Sequence, residues 1–589
     1  MAAPAADRGD APGPVNGAQA LVRLLEQERV PAAFGIVGGK LAPLLQALSR
    51  STIAFVGVRH ESAASMMAAA VFAGTGRVAV ALGEMGPGAL NLAAGAGVAF
   101  NNHLAALLIT TNQHRAAAYP HAGMFMDMDT RAVLAPLTKW GAVVNDARRL
   151  PELLRTALRE ACSGRPGPVH LDIPHDVLTQ TCRWHDGEFD IAPARYRALL
   201  GPRPAAQAVA DAVAVLQRAR RPLVVAGGGT VHAGAEAEAR TLAARLRAPL
   251  VPTQMALGVA PSHSAHFIGH GGLIAGDAVK RAFDEADAIV SIGCRFSSWL
   301  WDELGPLARR STPLVNINID ASALGSPALH AVAMQADAKL ALQDLLAALP
   351  ESLPAVDALW LPGLRRRRAD DEANLAAMAN EAPDAAAAGD APAAMHPAAL
   401  AMAIARALPD DALAVFDGGH TSFWSNDCTP VQAVRTRFHD PGMSQLGFGL
   451  PSALALQFMH PGRLVVNITG DGSFGFTLQE LDSARRHRLP VVNIIHNNAA
   501  WGIIRAGQRR QHGFELGTAL DGTDYAAIAR GFGCHGETLT SPGQLAAALD
   551  RARRSGLPAV IDCPTRFEPH PAMPAFGRMN RYGFEALVG

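Results

Sequence analysis

Cysteine is scarce in this chain. Cys162, Cys182, Cys294, Cys428, Cys534 and Cys563 are the six among 589 residues, and no two form a CxxC. That scatter argues against a zinc site and against a disulfide framework, and it suits a reducing cytoplasm. Net charge is missing too, since Lys+Arg and Asp+Glu are both 52. A balanced chain has no general attraction for nucleic acid or an anionic membrane, so neither is expected as a partner. No apolar run is long enough to span a bilayer. Residues 1–16 lack the apolar centre of a signal peptide and read as a disordered tail. Lysine is sparse while Ala, Gly, Pro and Arg abound, which says little about function.

What is present is a large globular chain. Hydrophobic residues make up 49% and charged residues 18%. At roughly 150 residues per domain, the length predicts three or four domains. Short apolar runs alternate with Ala-rich helical stretches in three segments. Residues 17–185 hold "AFGIVGG", "RVAVALG" and "LAALLIT". Residues 200–350 hold "PLVVAGGG", "AIVSIG" and "LVNINID". Residues 397–589 hold "LAVFDGG", "LVVNITGDG", "VVNIIHNN" and "AVIDC". This rhythm predicts an α/β fold of three doubly wound parallel-sheet domains. Residues 351–396 are charged and then low in complexity, and read as a partly disordered helical linker.

The stretch "GDGSFGFTLQELDSARRHRLPVVNIIHNN" starts at Gly470 and ends at Asn498. It reads as a strand end, a helix carrying Phe476, Leu478 and Leu481 at helical spacing, and a second strand. A right-handed crossover returns the second strand parallel to the first. Both strand ends then reach the sheet edge where open α/β sheets bind ligands, so Asp471 and Asn498 can be neighbours. An Asp carboxylate and an Asn amide oxygen are hard donors suited to Mg²⁺. Gly470 and Gly472 let backbone approach a bulky anion. Gly472 and Ser473 open the helix with N–H groups that can meet phosphate. The pattern asks for a metal-bound diphosphate.

From this point the whole chain from about Gly17 resembles the thiamine diphosphate-dependent family of acetohydroxyacid synthase, benzaldehyde lyase, pyruvate oxidase and oxalyl-CoA decarboxylase. The resemblance implies a pyrimidine-binding domain, a central domain and a diphosphate-binding domain, in that order. It implies thiamine diphosphate and Mg²⁺ as cofactors, with the metal on Asp471, Asn498 and the carbonyl of Ala500. "VRHESAASMMAAA" looks like the family motif whose Glu contacts the aminopyrimidine, here Glu61. "GEMGPGALNL" looks like its Gly-Pro-Gly loop, here Gly86, Pro87 and Gly88. "DGGHTSFW" sits where the diphosphate is held, which marks Gly419, His420 and Thr421. "GMSQLGFGLP" looks like the stretch that bends the cofactor, with Leu446 as the apolar wedge and the Ser444 carbonyl toward the amino group. Family members build the site between subunits, which implies a homodimer at least, with a homotetramer expected.

Some stretches depart from the synthase pattern. The loop "FGIVGGKLAPL" carries Lys40 after Gly38 and Gly39, where synthases have a small residue and benzaldehyde lyase has a His. Lys40 is therefore a candidate catalytic residue, and the Gly pair belongs with the cofactor positions. "MFMDMD", with Phe125 and Met126, stands where a Phe-Gln pair is common. "AAWG" after the Asn pair resembles the lyase. In the middle segment Gly269–Gly272, Gly293–Trp299, Asn316–Asp320 and Ala336–Lys339 look like landmarks of the synthases' FAD-binding domain. The same strand ends occur in members without FAD and the lone glycine turn "AGGGT" is weak evidence, so FAD stays open. The implied activity is a carbon–carbon lyase or carboligase acting on a small-molecule 2-oxo acid, in the manner of acetolactate synthase. The alternatives are a benzaldehyde-lyase-like or acyl-CoA lyase, and a cofactor-binding relative without catalysis.

Overall fold

A computed structural model describes residues 14–118, 123–184, 187–297, 300, 312–324, 331–351, 356–380 and 394–571. The chain falls into two compact units. One is built almost wholly from residues up to Leu199, the other from Leu200 onward.

The first unit holds a six-stranded parallel sheet. Its strands are β1 (Ala32–Gly35), β2 (Ala54–Gly57), β3 (Val80–Gly83), β4 (Leu107–Asn112), β5 (Trp140–Val143) and β6 (Val169–Pro174), in the order β2-β1-β3-β4-β6-β5. Every residue of β3, β4 and β6 is buried. That is what a parallel sheet covered on both faces requires, and it explains why these strands are apolar without alternation. Val15 and Asn16 end the stretch read as a tail, yet they pair antiparallel with Cys182 and Thr181. Asn16 then caps the helix Gly17–Gln27 through a reciprocal bond with Gln19. Residues 1–13 lie outside the described residues.

The second unit holds two more parallel sheets. The central one contains β7 (Pro222–Ala226), β8 (Leu250–Pro252), β9 (Ala288–Ile292), β10 (Leu314–Asn318) and β11 (Val332–Gln335), ordered β8-β7-β9-β10-β11. The last contains β12 (Leu413–Phe416), β13 (Arg437–His439), β14 (Val465–Gly470), β15 (Val492–Asn497), β16 (His535–Thr538) and β17 (Ala559–Pro564), ordered β13-β12-β14-β15-β17-β16. The expected α/β fold with three parallel sheets is what forms.

Two local expectations gain detail. The stretch read as a helical linker holds a helix, Trp360–Ala379, whose Trp360 and Leu364 join the central core. Trp360 and Leu364 are buried there, and the Trp360 indole N–H donates to the Pro222 carbonyl at 3.0 Å. Burying an aromatic with its N–H satisfied anchors this helix despite its charged face. Residues 352–355 and 381–393 of that stretch lie outside the described residues. The helix expected after Asp471 is broken into Asp471–Gly475 and Glu480–Arg486. Thr477 turns its hydroxyl to the Gly447 carbonyl at 2.8 Å, and Phe476 stays 51% exposed while Leu481 is buried. No helix among the described residues is long and apolar enough to cross a membrane.

Candidate active site

In the last sheet the crossover does what its sequence implies. Strand β14 ends at Gly470, β15 runs parallel beside it, and Asp471 and Asn498 line one cleft of about 270 Å³. Asp471 is 3% exposed, and its Oδ2 has no hydrogen-bond partner among the described residues. Burial pushes its carboxyl up to about 6, against the pull of backbone N–H groups of Gly472 and Ala500. A buried carboxylate with an idle oxygen is a poor resting state without a cation. The two asparagines divide their work. Asn497 donates to the Thr523 carbonyl and to Asp562, both at 3.1 Å, and so fixes the strand end. Asn498 follows it into the cleft, where its Oδ1 accepts the Ala500 N–H at 3.1 Å. Ala499 between them takes φ 49°, which makes the turn.

These groups fit a divalent cation. Among the described residues no group of three His, Cys, Asp or Glu could hold a metal. The expected set needs none, since it uses one carboxylate, one amide oxygen and one backbone carbonyl. A cradle for a bulky anion lies beside it. Gly418 has φ 91°, and a Cβ there would come 3.2 Å from Ser473 Oγ. A Cβ on Gly472 would meet the Trp501 ring at 2.5 Å, and one on Gly419 would meet Ile503 at 2.8 Å. Gly419, His420 and Thr421 open the helix Gly419–Cys428 and line the cleft, as do Gly470, Gly472 and Ser473. His420 is buried, neither ring nitrogen has a hydrogen-bond partner among the described residues, and burial drives its pKa down to about 3, so it is neutral at physiological pH.

The stretch read as the cofactor bend also reaches this cleft. Leu446 and Ser444 line it. Ser444 has φ 54°, an unfavourable conformation for a residue with a Cβ. Asp440 holds it there. Its carboxylate accepts the N–H groups of Met443 at 3.0 Å and Gln445 at 2.8 Å, and its carbonyl accepts that of Ser444 at 3.1 Å. Asp417, after the neighbouring strand β12, has a matching role. It accepts the Gly449 N–H at 3.0 Å, and burial lifts its carboxyl to about 6.

The first unit carries its own constellation. Glu61 starts the helix Glu61–Thr75 and is 7% exposed. Asn91 donates to its Oε2 at 2.9 Å. A Cβ on Gly88 would lie 3.0 Å from Glu61 Oε1, so the Gly-Pro-Gly loop closes on this acid. Gly86 has φ 66° and packs on Met126, and Pro87 begins the helix Pro87–Asn91. Lys40 is half-buried, and its backbone N–H donates to Glu84. No hydrogen bond or ion pair of its ammonium is found among the described residues. A Cβ on Gly38 would strike Glu84, whereas Gly39 faces open space. Sequence reasoning passed over Asp417, Asp440, Asn91 and Glu84. Each sits within a few residues of a glycine motif, and that proximity was the available signal.

The middle-segment landmarks have structural partners. Gly227 packs so tightly on the turn after β9 that a Cβ would lie 2.4 Å from the Gly293 carbonyl oxygen. Asp320 caps its own turn at Ser322, and Asp337 caps the helix Ala338–Ala348. Ser298 and Trp299 lie outside the described residues.

Three family comparisons match. Residues 15–133 match the thiamine pyrophosphate enzyme N-terminal TPP binding domain, 209–345 its central domain, and 417–563 its C-terminal TPP binding domain. The acetolactate synthase isozyme 1 large subunit of Escherichia coli is 30% identical, over 93% of each chain. The acetolactate synthase large subunit of Parasynechococcus marenigrum is 30% identical, over 95% of this chain and 88% of its own. A probable 2-ketoarginine decarboxylase of Pseudomonas aeruginosa is 32% identical, over 88% of this chain and 89% of its own.

Proposed function

This chain belongs to the thiamine diphosphate-dependent enzymes of the acetohydroxyacid synthase type, and on that premise we propose that it is a Mg²⁺-dependent carboligase that decarboxylates a 2-oxo acid and joins the remainder to a second carbonyl compound. The observation that carries the reading is the idle, buried Asp471 oxygen beside Asn498 in a glycine-lined cleft. Bound thiamine diphosphate supplies the nucleophilic carbon and the electron sink for breaking a carbon–carbon bond next to a carbonyl.

The protein's residues do the rest. Asp471, Asn498 and the Ala500 carbonyl would hold Mg²⁺, which would neutralise diphosphate charge. The helix openings at Gly419–Thr421 and Gly472–Ser473 would offer N–H groups to the same anion. Asn91 steadies one oxygen of Glu61 and leaves the other to exchange a proton with the aminopyrimidine nitrogen. The Ser444 carbonyl and the Leu446 side chain orient the cofactor, and Asp440 keeps both in place. The protein acts as a homodimer at least, with a homotetramer expected, in the cytoplasm.

A second reading keeps the decarboxylation and drops the ligation. It is favoured by the Pseudomonas relative, whose name is that of a decarboxylase. One experiment separates the two. Purified protein with thiamine diphosphate and Mg²⁺ is given a panel of 2-oxo acids, and both CO₂ and the carbon products are measured. Ligated hydroxy-keto products support the first reading, and aldehydes alone support the second. No CO₂ from any member of the panel would count against both.

A further inference from the structure

Glu84 follows β3 and precedes the Gly86–Gly88 turn, and its carboxylate is fully engaged. The Lys40 N–H reaches Oε1 at 3.3 Å and Oε2 at 3.0 Å. The Leu41 N–H reaches Oε2 at 3.1 Å, and Thr111 Oγ1 donates to Oε1 at 3.3 Å. Thr111 in turn accepts the N–H of Met85 at 3.2 Å. The helix Ala42–Leu48 that follows Leu41 has no side-chain cap of its own. Its approach therefore depends on an acceptor brought from another strand end. Gly38 belongs to the same arrangement, since a Cβ there would lie 2.0 Å from Glu84 Oε2. On the far side, a Cβ on Gly88 would be 3.2 Å from Glu84 Cβ and 3.0 Å from Glu61 Oε1.

We propose that Glu84 is a positioning residue that ties the Gly38–Lys40 loop to the Gly86–Gly88 loop, and thereby fixes where Lys40 stands with respect to Glu61. It acts as an anionic acceptor only. Both oxygens are taken by N–H and O–H donors, and it moves no proton. A charge-assisted bond of this kind holds more strongly than a neutral one, which suits a loop whose glycines otherwise leave it free. The proposal rests on the reading that Glu61, at this sheet edge, is the group that exchanges a proton with the cofactor.

Amide hydrogen exchange on the protein without cofactor or substrate tests the tether itself. Glu84→Ala should speed exchange at Lys40 and Leu41 by on the order of 10-fold or more, with the amides of β3 and β4 unchanged. Glu84→Gln keeps one acceptor oxygen and should fall between. Gly38→Ala pushes the carboxylate off the same donors, so it should expose the same two amides, and combining it with Glu84→Ala should add nothing. If Glu84→Ala does not fold, Glu84→Gln and Gly38→Ala carry the test. In turnover, Glu84→Gln should raise KM for the 2-oxo acid and leave kcat nearly intact. Unchanged exchange at Lys40 and Leu41 in the folded variants overturns the proposal. So does a collapse of kcat in Glu84→Gln with normal amide protection, because Glu84 would then act at the reacting atoms. The exchange arm uses no substrate, so it stands even if the panel of 2-oxo acids shows no reaction.

Discussion

The first and last sheets are built alike and equipped differently. Both run second, first, third, fourth, sixth, fifth strand. Their fourth and sixth strands even share a device. Asn112 at the end of β4 donates to Asp172 on β6 at 2.7 Å, and Asn497 at the end of β15 donates to Asp562 on β17 at 3.1 Å. In both pairs the Asn stands opposite the Pro that lies two residues beyond the Asp. The next residue is where they diverge. Gln113 turns to the Phe125 carbonyl at 2.7 Å, whereas Asn498 enters the cleft. At the end of the third strand the first sheet places Glu84 and the last places Gly470 and Asp471. Under the proposed function, one strand order would serve two tasks, proton handling around Glu61 and cation holding around Asp471. The loops after the strands decide which.

The largest effect should come from breaking the last sheet's side of this contrast. Asp471→Ala removes the only carboxylate of the expected metal set. Mg²⁺-dependent binding of thiamine diphosphate should weaken by more than about 100-fold, since the diphosphate loses its bridge to the protein. Calorimetric titration of the folded variant checks this, and wild-type affinity would remove Asp471 from the metal site.

On the first sheet's side, Glu61→Gln should leave cofactor affinity nearly unchanged and cut kcat by about 10²–10⁴-fold, the usual worth of a positioned proton-transfer group. Exchange of the cofactor's reactive C–H, followed by NMR, should slow in parallel. A wild-type exchange rate would show that Glu61 is not the activating acid.

Lys40→Ala should act more mildly. If the ammonium receives the substrate carboxylate, KM for 2-oxo acids should rise by about 10-fold while uncharged 2-hydroxy ketones are spared. Equal losses on both substrate types would give Lys40 a role in proton movement. No change on either would leave it facing solvent.

Strand positions were legible because parallel strands buried on both faces are continuous apolar runs, as in "LVVNITG" and "AVIDC". The pairing of Asp471 with Asn498 was legible because a strand-helix-strand crossover leaves few geometries. The broken helix after Gly475 was not, because Phe476 and Leu478 keep a helical spacing while Thr477 is drawn to the Gly447 carbonyl, a contact distant in sequence. Asp440 and Glu84 were missed for the same reason. Each is an ordinary acid in sequence and gains its role from N–H groups that the fold delivers. Trp360 hid in a charged stretch, where composition outweighed one buried aromatic.

The smallest expected effect concerns the shared Asn–Asp device. Asp172 is buried, and burial lifts its carboxyl to about 6 although Asn112 and Thr110 each donate to it at 2.7 Å. Its unfolded value is near 3.8. A carboxyl raised on folding binds its proton more tightly in the folded state. Its contribution to stability is therefore complete below about pH 4 and is lost as pH rises through about 6. Asp172→Asn keeps an acceptor for Asn112 and cannot ionise, so it should flatten the pH dependence over this range. The difference in apparent melting temperature between wild type and variant should shift by a few degrees in the variant's favour from pH 4 to pH 7. Asp562 is also raised by burial, and Asn497 and the Tyr525 N–H both oppose the rise. Asp562→Asn should therefore flatten the profile in the same direction. Parallel profiles for wild type and Asp172→Asn would mean that the Asn112 and Thr110 bonds offset burial completely, and that the first sheet's copy of the device carries its charge at no cost.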